Sequence, residues 1–368
     1  MFLLLFLPLT TLCQSSPKKT KNKTPKTTTK TWNFAVSGDS RNCGDVVMPA
    51  IAMGARHDNA VFYWHLGDLR WIVGVDQDLN RVYKNQDKTI SIDDYRKLAW
   101  DDFIQSQLNA FANMPFYLGI GNHELYPPKT RAEFVTVFTR WLDTAELRAQ
   151  RLKDDPNDHL VKTYYHWIRD DVSFINMDNA SKEEFDAAQI LWFESILKRD
   201  TQDPAIRAIV VGMHEALPQS ISSDHSMDMW PLGEQTGLQV YHDLLQAQNE
   251  GKKKIYILAS HSHYFLDGTY QTDYWKNHGG VLPGWIIGTA GAERYPLPPA
   301  AKDAISSKTN VYGYMLATVN PRGSPPGTIR FEFKQIDEDQ IPSDIVKKYS
   351  APLVHECFVG NRRIEPFH

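Results

Sequence analysis

Five short motifs combine carboxylate, amide and imidazole side chains, which together can hold metal ions. They are Gly38-Asp39, Gly67-Asp68, Gly121-Asn122-His123-Glu124, Met213-His214 and His261-Ser262-His263. Carboxylate and imidazole ligands suit Zn, Fe and Mn, and a shared carboxylate can bridge two ions. One such Gly-Asp or histidine alone is more often a turn or a hydrogen-bonding group. All five together predict a metal centre.

Each motif follows an apolar run that predicts a β-strand. These predicted strands span residues 32–37, 60–66, 116–120, 206–211 and 254–259. Helices are predicted at residues 45–56, 93–113, 132–152, 181–197 and 238–248. Ser181 and Glu184 predict a capping box that opens the fourth helix. A hairpin is predicted at 162–168 and 172–177, with further strands at 285–288, 312–318 and 328–333. In open α/β sheets, functional residues lie at the carboxyl ends of the strands. We therefore expect the five motifs to lie together at this end of the strands, which we call the rim.

In this order, the motifs resemble those of the calcineurin-like metallophosphoesterases, over residues 38–263. The Gly-Asn-His-Glu motif and the later Gly288-Thr289-Ala290-Gly291 look most like the purple acid phosphatase branch. The resemblance implies an α/β fold, namely a four-layer α/β/β/α sandwich. It also implies two divalent or trivalent metal ions, with Fe, Zn or Mn favoured, and a phosphate ester as the substrate.

The resemblance implies a role for each motif residue. Asp68 would bridge the two ions and take part in catalysis. Asp39 and His263 would complete the first metal site, and Asn122, His214 and His261 the second. Asn122 would also lie at the substrate, and His123 would act as a general acid on the leaving group.

Two positions depart from the resembling proteins. Arg41 stands where many members of the superfamily have a histidine, and Trp71 stands where purple acid phosphatases have a metal-binding tyrosine. Neither side chain has a lone pair to offer a metal, so the first site lacks one protein ligand. Water or a neighbouring residue would have to supply it. We expect the fork of Arg41 to bind phosphate oxygens of the substrate instead.

One further histidine is a candidate for substrate binding. His225 lies in the segment 215–237, which is long for a simple connection and follows a predicted ligand. His65 lies inside a predicted strand and is expected to be a hydrogen-bonded core residue. Surface or packing roles are predicted for the others, which are His57, His159, His166, His242, His278, His355 and His368.

Three functions remain open at this stage. A phosphomonoesterase is favoured, but the same metals serve a phosphodiesterase acting on nucleotides or lipid head groups. A pseudoenzyme that binds a phosphorylated ligand without turnover is the third, because Arg41 and Trp71 weaken the first site. The presence of His123 favours an active enzyme. The net charge of −4 indicates no nucleic-acid partner, and the oligomeric state is open.

The N-terminal residues predict export. The apolar run at 2–13 is too short to span a bilayer and has the length of a secretory signal, although lysines follow it and none precedes it. Residues 1–15 are interpreted as a signal peptide, 16–31 as a disordered Lys/Thr-rich linker and 32–368 as a single catalytic domain. Leu12 argues against lipidation at Cys13. Cys43 and Cys357 either form one disulfide or stay reduced, and their spacing leaves both open.

Overall fold

The computed structural model describes Phe2, residues 30–181 and residues 184–364. The predicted signal peptide, apart from Phe2, and nearly all of the predicted linker lie outside these residues. The described strands are β1 (Trp32–Ser37), β2 (Ala60–His65), β3 (Phe116–Leu118), β4 (Tyr165–Arg169), β5 (Val172–Asn176), β6 (Ala208–Gly212), β7 (Lys254–Ala259), β8 (Phe265–Asp267), β9 (Gly284–Ile287), β10 (Ser306–Lys308), β11 (Tyr312–Val319) and β12 (Ile329–Ile336). The described helices are α1 (Gly44–His57), α2 (Gln77–Lys84), α3 (Ile92–Ser106), α4 (Arg131–Leu142), α5 (Ala145–Asp154), α6 (Ala187–Gln202), α7 (Pro231–Asn249), α8 (Asp273–Asn277), α9 (Ser343–Tyr349) and α10 (Ala351–Val359).

The strands form two sheets. The first has the order β12, β11, β1, β2, β3, and the second has the order β10, β8, β9, β7, β6, β5, β4. Strands β1, β2 and β3 are parallel, and so are β5, β6, β7 and β9. The five motifs therefore follow strands that run in parallel within their own sheet.

Aromatic side chains fill the space between the two sheets. Phe34 of β1 meets Phe174 of β5 edge to face, with ring centroids 5.3 Å apart. Such a pair adds roughly 0.5–1.5 kcal/mol beyond the burial of its area. The indole N–H of Trp64 crosses between the sheets and donates to Asn176 Oδ1 at 2.9 Å. Each sheet is thereby fixed against the other, which sets the relative position of the two halves of the motif rim.

Helices cover the outer faces. In β6, Ile209 and Val211 belong to the core beneath α6 and α7, whereas Val210 belongs to the core between the sheets. Successive side chains of a strand point to opposite faces, so this apolar run is buried on both sides. The predicted four-layer α/β/β/α sandwich is confirmed. Within the described residues, we find no helix with both the length and the apolar character needed to span a bilayer.

Several predicted boundaries were wrong. The helix predicted at 132–152 is two helices, because Thr144 interrupts it and caps α5 by accepting from Leu147 N. The capping box of Ser181 and Glu184 does not open a helix: α6 begins at Ala187, and its N-cap is Asp186. The helix predicted at 93–113 ends at Ser106, and helices α9 and α10 were not predicted.

A disulfide joins Cys43, just before α1, to Cys357 of α10. The two cysteines are 314 positions apart in the chain. The possibility that the sequence left open is thus settled, and the C-terminal helices are tied to the turn that follows β1.

Candidate metal centre

Three of the predicted ligands lie in tight turns with left-handed backbone. Asp39, Asp68 and His261 have φ angles of 61°, 58° and 62°. A residue other than glycine held in this region costs of order 1–3 kcal/mol, so the surrounding structure must hold it there. The turns bring the three side chains from the ends of β1, β2 and β7 onto one rim.

Glu124 holds two of the motif loops together. It lies in a short 3₁₀ turn (Asn122–Leu125) after β3, and its carboxylate accepts from the backbone N–H groups of Asp68, Leu69 and Gly121, each at 2.9 Å. Burial and the nearby Asp68 carboxylate raise the pKa of Glu124 to about 8. Sequence reasoning gave Glu124 no role, although its place in the Gly-Asn-His-Glu motif was a signal for one.

Gly121 allows these loops to approach one another. A Cβ atom at this position would collide with the Asp68 carboxylate and would lie 2.9 Å from Cε1 of His214. Only glycine therefore fits between the predicted bridging carboxylate and the predicted histidine ligand.

The predicted second metal site is a group of converging acceptors. Nδ1 of His214 lies 3.0 Å from the Leu66 carbonyl and must donate to it, which leaves the lone pair on Nε2. This Nε2 lies 3.0 Å from His261 Nδ1, 3.1 Å from Asn122 Oδ1 and 3.4 Å from Asp68 Oδ1. Nitrogen and oxygen atoms that converge this closely repel one another unless a proton or a metal ion lies between them, so the residues fit a metal ion.

Without a metal ion, the electrostatics of the group favour a proton on Nε2 of His214, and a bound metal ion would displace that proton. Burial alone would lower the pKa of His214, but the Asp68 carboxylate outweighs it and raises the pKa to about 10. Burial would likewise raise the pKa of Asp68, yet the His214 and His123 imidazoles hold it well below its ordinary value. The group therefore attracts positive charge to the point where its acceptors meet.

The predicted first site has a different composition. Oδ1 of Asp39 lies 3.1 Å from His263 Nε2, and ligand atoms of Asp39, Asp68 and His263 lie within 4.8 Å of one another. The guanidinium of Arg41 reaches the same place, with Nη2 3.1 Å from His263 Nε2 and Nε 3.6 Å from Asp68 Oδ2. The ring of Trp71 instead packs beside Gly74.

His123 lies beside the two groups. Its backbone N–H donates to Asp68 Oδ1 at 3.1 Å, and its Nε2 lies 3.7 Å from Asp68 Oδ2. Its Nδ1 is buried without a hydrogen-bond partner. Burial lowers the pKa of His123 to about 4, although the Asp68 carboxylate opposes the shift.

His225 also lies at the rim. Its ring centroid is 5.2 Å from that of His261 and 5.6 Å from that of Tyr295. The adjoining cleft is lined by Ser222, Asp224, His225, Ser262, Tyr264, Tyr295, Pro296, Leu297, Pro298 and Pro299. Sequence reasoning did not find Tyr295, since no motif marks it. His65, by contrast, is a fully buried core histidine bonded to Ser40 Oγ at 3.1 Å, as predicted.

Comparisons with known proteins give likenesses of fold. No protein-family model matches the chain, and a search of curated proteins found no match. The chain is similar to purple acid phosphatase PPD1 from yellow lupin (Lupinus luteus) seeds, with a TM-score of 0.56 and 14% identity over 83% of this chain and 52% of the lupin chain. It is also similar to PhoD, with a TM-score of 0.51 and 13% identity over 89% of this chain and 77% of the other. A third likeness, to GAP50, the anchor in the inner membrane complex of Plasmodium, has a TM-score of 0.45 and 11% identity over 91% and 98% of the two chains. This chain spans about half the length of the lupin enzyme.

Proposed function

Because this chain has the calcineurin-like metallophosphoesterase fold, we propose that it is a metal-dependent hydrolase of phosphate esters, most simply of phosphomonoesters. The observation that carries the proposal is the convergence of Asp68, Asn122, His214 and His261 on one point, with His123 beside it. These four side chains would hold a metal ion. The two-ion centre implied by the sequence would add Asp39 and His263.

A metal ion in this group would supply Lewis acidity to the phosphoryl group and lower the pKa of water. Residues of the chain would position the loops and bind the ester. Glu124 keeps the loops of Asp68 and Asn122 in place through backbone hydrogen bonds. Asn122 and His225 would contact the ester, and the cleft next to His225 would receive the group attached to the phosphate.

His123 would act as the general acid and donate a proton to the leaving-group oxygen of the ester. Its lowered pKa makes the free imidazole neutral at pH 7. A phosphate dianion next to the ring favours the protonated form, so binding of substrate would charge His123 at the moment when an acid is needed.

Hydrolysis of model esters tests the proposal. Purified protein incubated with Zn, Mn or Fe should hydrolyse p-nitrophenyl phosphate, and a chelator should abolish the reaction. The diester bis(p-nitrophenyl) phosphate should react more slowly, because the favoured substrate is a monoester.

Two variants make the test specific. His214→Ala removes a ligand and should abolish hydrolysis, whereas His242→Ala, which alters an exposed histidine of α7, should leave it unchanged.

A faster reaction with the diester would replace the phosphomonoesterase by a phosphodiesterase. Binding of inorganic phosphate without hydrolysis of either ester would identify a phospholigand-binding pseudoenzyme and overturn the proposal.

The proposed place of action is outside the cytoplasm, in the periplasm, the cell envelope or the medium. The Cys43–Cys357 disulfide supports this, because disulfides persist mainly in oxidising compartments.

A further inference from the structure

The side chain of Arg41 is held inside the predicted first metal site. It is only 8% exposed, and its Nη2 lies 3.1 Å from His263 Nε2 and 3.2 Å from the Tyr295 hydroxyl. Its Nε lies 3.6 Å from Asp68 Oδ2. Two of the three ligand atoms of this site, those of His263 and Asp68, therefore face the guanidinium.

The lone pair of His263 is already in use. Nδ1 of His263 lies 2.6 Å from the Glu293 carbonyl, which can only accept, so Nδ1 carries the proton. The remaining nitrogen, Nε2, then offers its lone pair to the N–H of Arg41. A metal ion in the first site would need the same lone pair, so Arg41 and the ion compete for one atom.

Tyr295 fixes the guanidinium next to His263. The Tyr295 hydroxyl accepts from Arg41 Nη2, and the Tyr295 ring stacks on His263 with centroids 4.0 Å apart. The guanidinium of Arg363 lies over the Tyr295 ring, 4.7 Å from its centroid. These contacts hold Arg41 against His263 and make its displacement by an ion costly.

The negative charges of the two rim aspartates are offset without a second metal ion. Asp39 and Asp68 bring two negative charges, and both side chains are fully buried. The guanidinium, which stays charged at any ordinary pH, offsets one of them. A divalent ion in the second group more than offsets the other, so these four groups together carry one net positive charge. A further divalent ion beside the guanidinium would be repelled by it at short range.

We propose that Arg41 takes the place of the first metal ion, so that the centre holds one tightly bound cation, in the group of Asp68, Asn122, His214 and His261. Arg41 then acts as a fixed positive charge beside the phosphoryl group, and the ligand that Trp71 fails to supply is not needed. This inference concerns the site of the proposed function but stands apart from hydrolysis, because it is decided by counting ions.

Metal counting and Mn(II) electron paramagnetic resonance test the proposal on the folded protein. Wild type equilibrated with Mn(II) should retain one ion per chain after gel filtration and give the spectrum of an isolated ion. Asp39→Asn should retain the same one ion, and His214→Ala should lose it. Two ions with an exchange-coupled spectrum in wild type would overturn the proposal, whether or not the protein hydrolyses esters.

Arg41→His restores an imidazole at the position where the resembling proteins have one. This variant should bind a second ion at least about tenfold more tightly than wild type does, and the spectrum should become exchange-coupled. Arg140→His places an imidazole on the exposed face of α4 instead and should leave one isolated ion. If Arg41→His also retains only one isolated ion, Arg41 is not what excludes the second, and the proposal fails. Should this variant not fold, the ion count of wild type and Asp39→Asn decides.

Discussion

Two buried arginines, Arg41 and Arg70, both lie beside aspartates, but the rest of their surroundings differ. Arg70 is fully buried and forms ion pairs with four carboxylates, which belong to Asp45, Asp76, Asp78 and Asp102. Arg41 is buried at the rim, where it contacts His263, Tyr295 and the Asp68 carboxylate. The first cluster is more acidic than the second, yet only the second has the geometry of a metal site.

The difference lies in what the carboxylate oxygens face. Around Arg70 they face donors: the Tyr95 hydroxyl donates to Asp76 at 2.6 Å, and the Asn42 N–H donates to the same carboxylate at 2.7 Å. At the rim, acceptors face acceptors, and Asp68 Oδ2 has no hydrogen-bond donor. A group of carboxylates therefore indicates a cation site by its convergent unpaired acceptors, and its number of acids is a poor guide.

The largest contrast is expected on removing each arginine. Arg70→Met leaves three buried carboxylates and the partly exposed Asp102 without their cation and should lower the free energy of unfolding by about 3–5 kcal/mol. Arg41→Met should cost much less in the presence of metal, because a second ion can then take its place. Chemical denaturation of both variants with metal present measures the difference, and equal losses would show that the two clusters are alike.

The next contrast, within the rim, is between turnover and metal binding. His123→Ala should lower turnover by about two to four orders of magnitude, since it removes the proposed acid. Metal content should remain at the wild-type level, because His123 is not in either ligand group. Kinetics with p-nitrophenyl phosphate and ion counting on the same sample check this. Loss of the ion together with activity would assign His123 to the metal site.

The smallest contrast is in pH dependence. Burial and the neighbouring carboxylates raise the pKa of Asp102 to about 6, although the charge of Arg70 opposes this shift. Asp102 therefore binds a proton more tightly in the folded state than in the unfolded state. The contribution of Asp102 to stability is then greatest below about pH 4 and is lost as the pH rises through 6. Asp102→Asn should remove this decline, and Asp101→Asn, at an exposed neighbour, should keep it. Unfolding measured between pH 4 and 8 would show identical curves if Asp102 titrates normally.

The sequence predicted the rim well because the signal there is local. Each apolar strand stops at a polar residue, and parallel strands bring those residues together, so Asp39, Asp68 and His214 could be placed from spacing alone. The contacts of Arg41 were beyond such reasoning. Tyr295 is 254 positions away in the chain, and only the folded arrangement brings it to the guanidinium.

The same contrast explains the wrong helix boundaries. Ser181 and Glu184 have the right spacing for a cap, but Asp186 is a competing cap closer to the packed face of α6. Local pattern permits both starts, and burial of Ile190 and Phe193 against the second sheet selects one. Positions decided by packing between distant segments are the ones that a single sequence leaves open.

The left-handed turns at Asp39, Asp68 and His261 also bear on how this protein can change over time. Each turn keeps a bulky polar residue where glycine would be relaxed, and that strain is offset by the rest of the sandwich. Substitutions that ease these turns remove predicted metal ligands but leave the aromatic interior between the sheets intact. If these residues hold the proposed metal centre, selection for folding and selection for chemistry oppose each other at these three positions, and a lineage that no longer needs the proposed hydrolysis can lose it while keeping the scaffold.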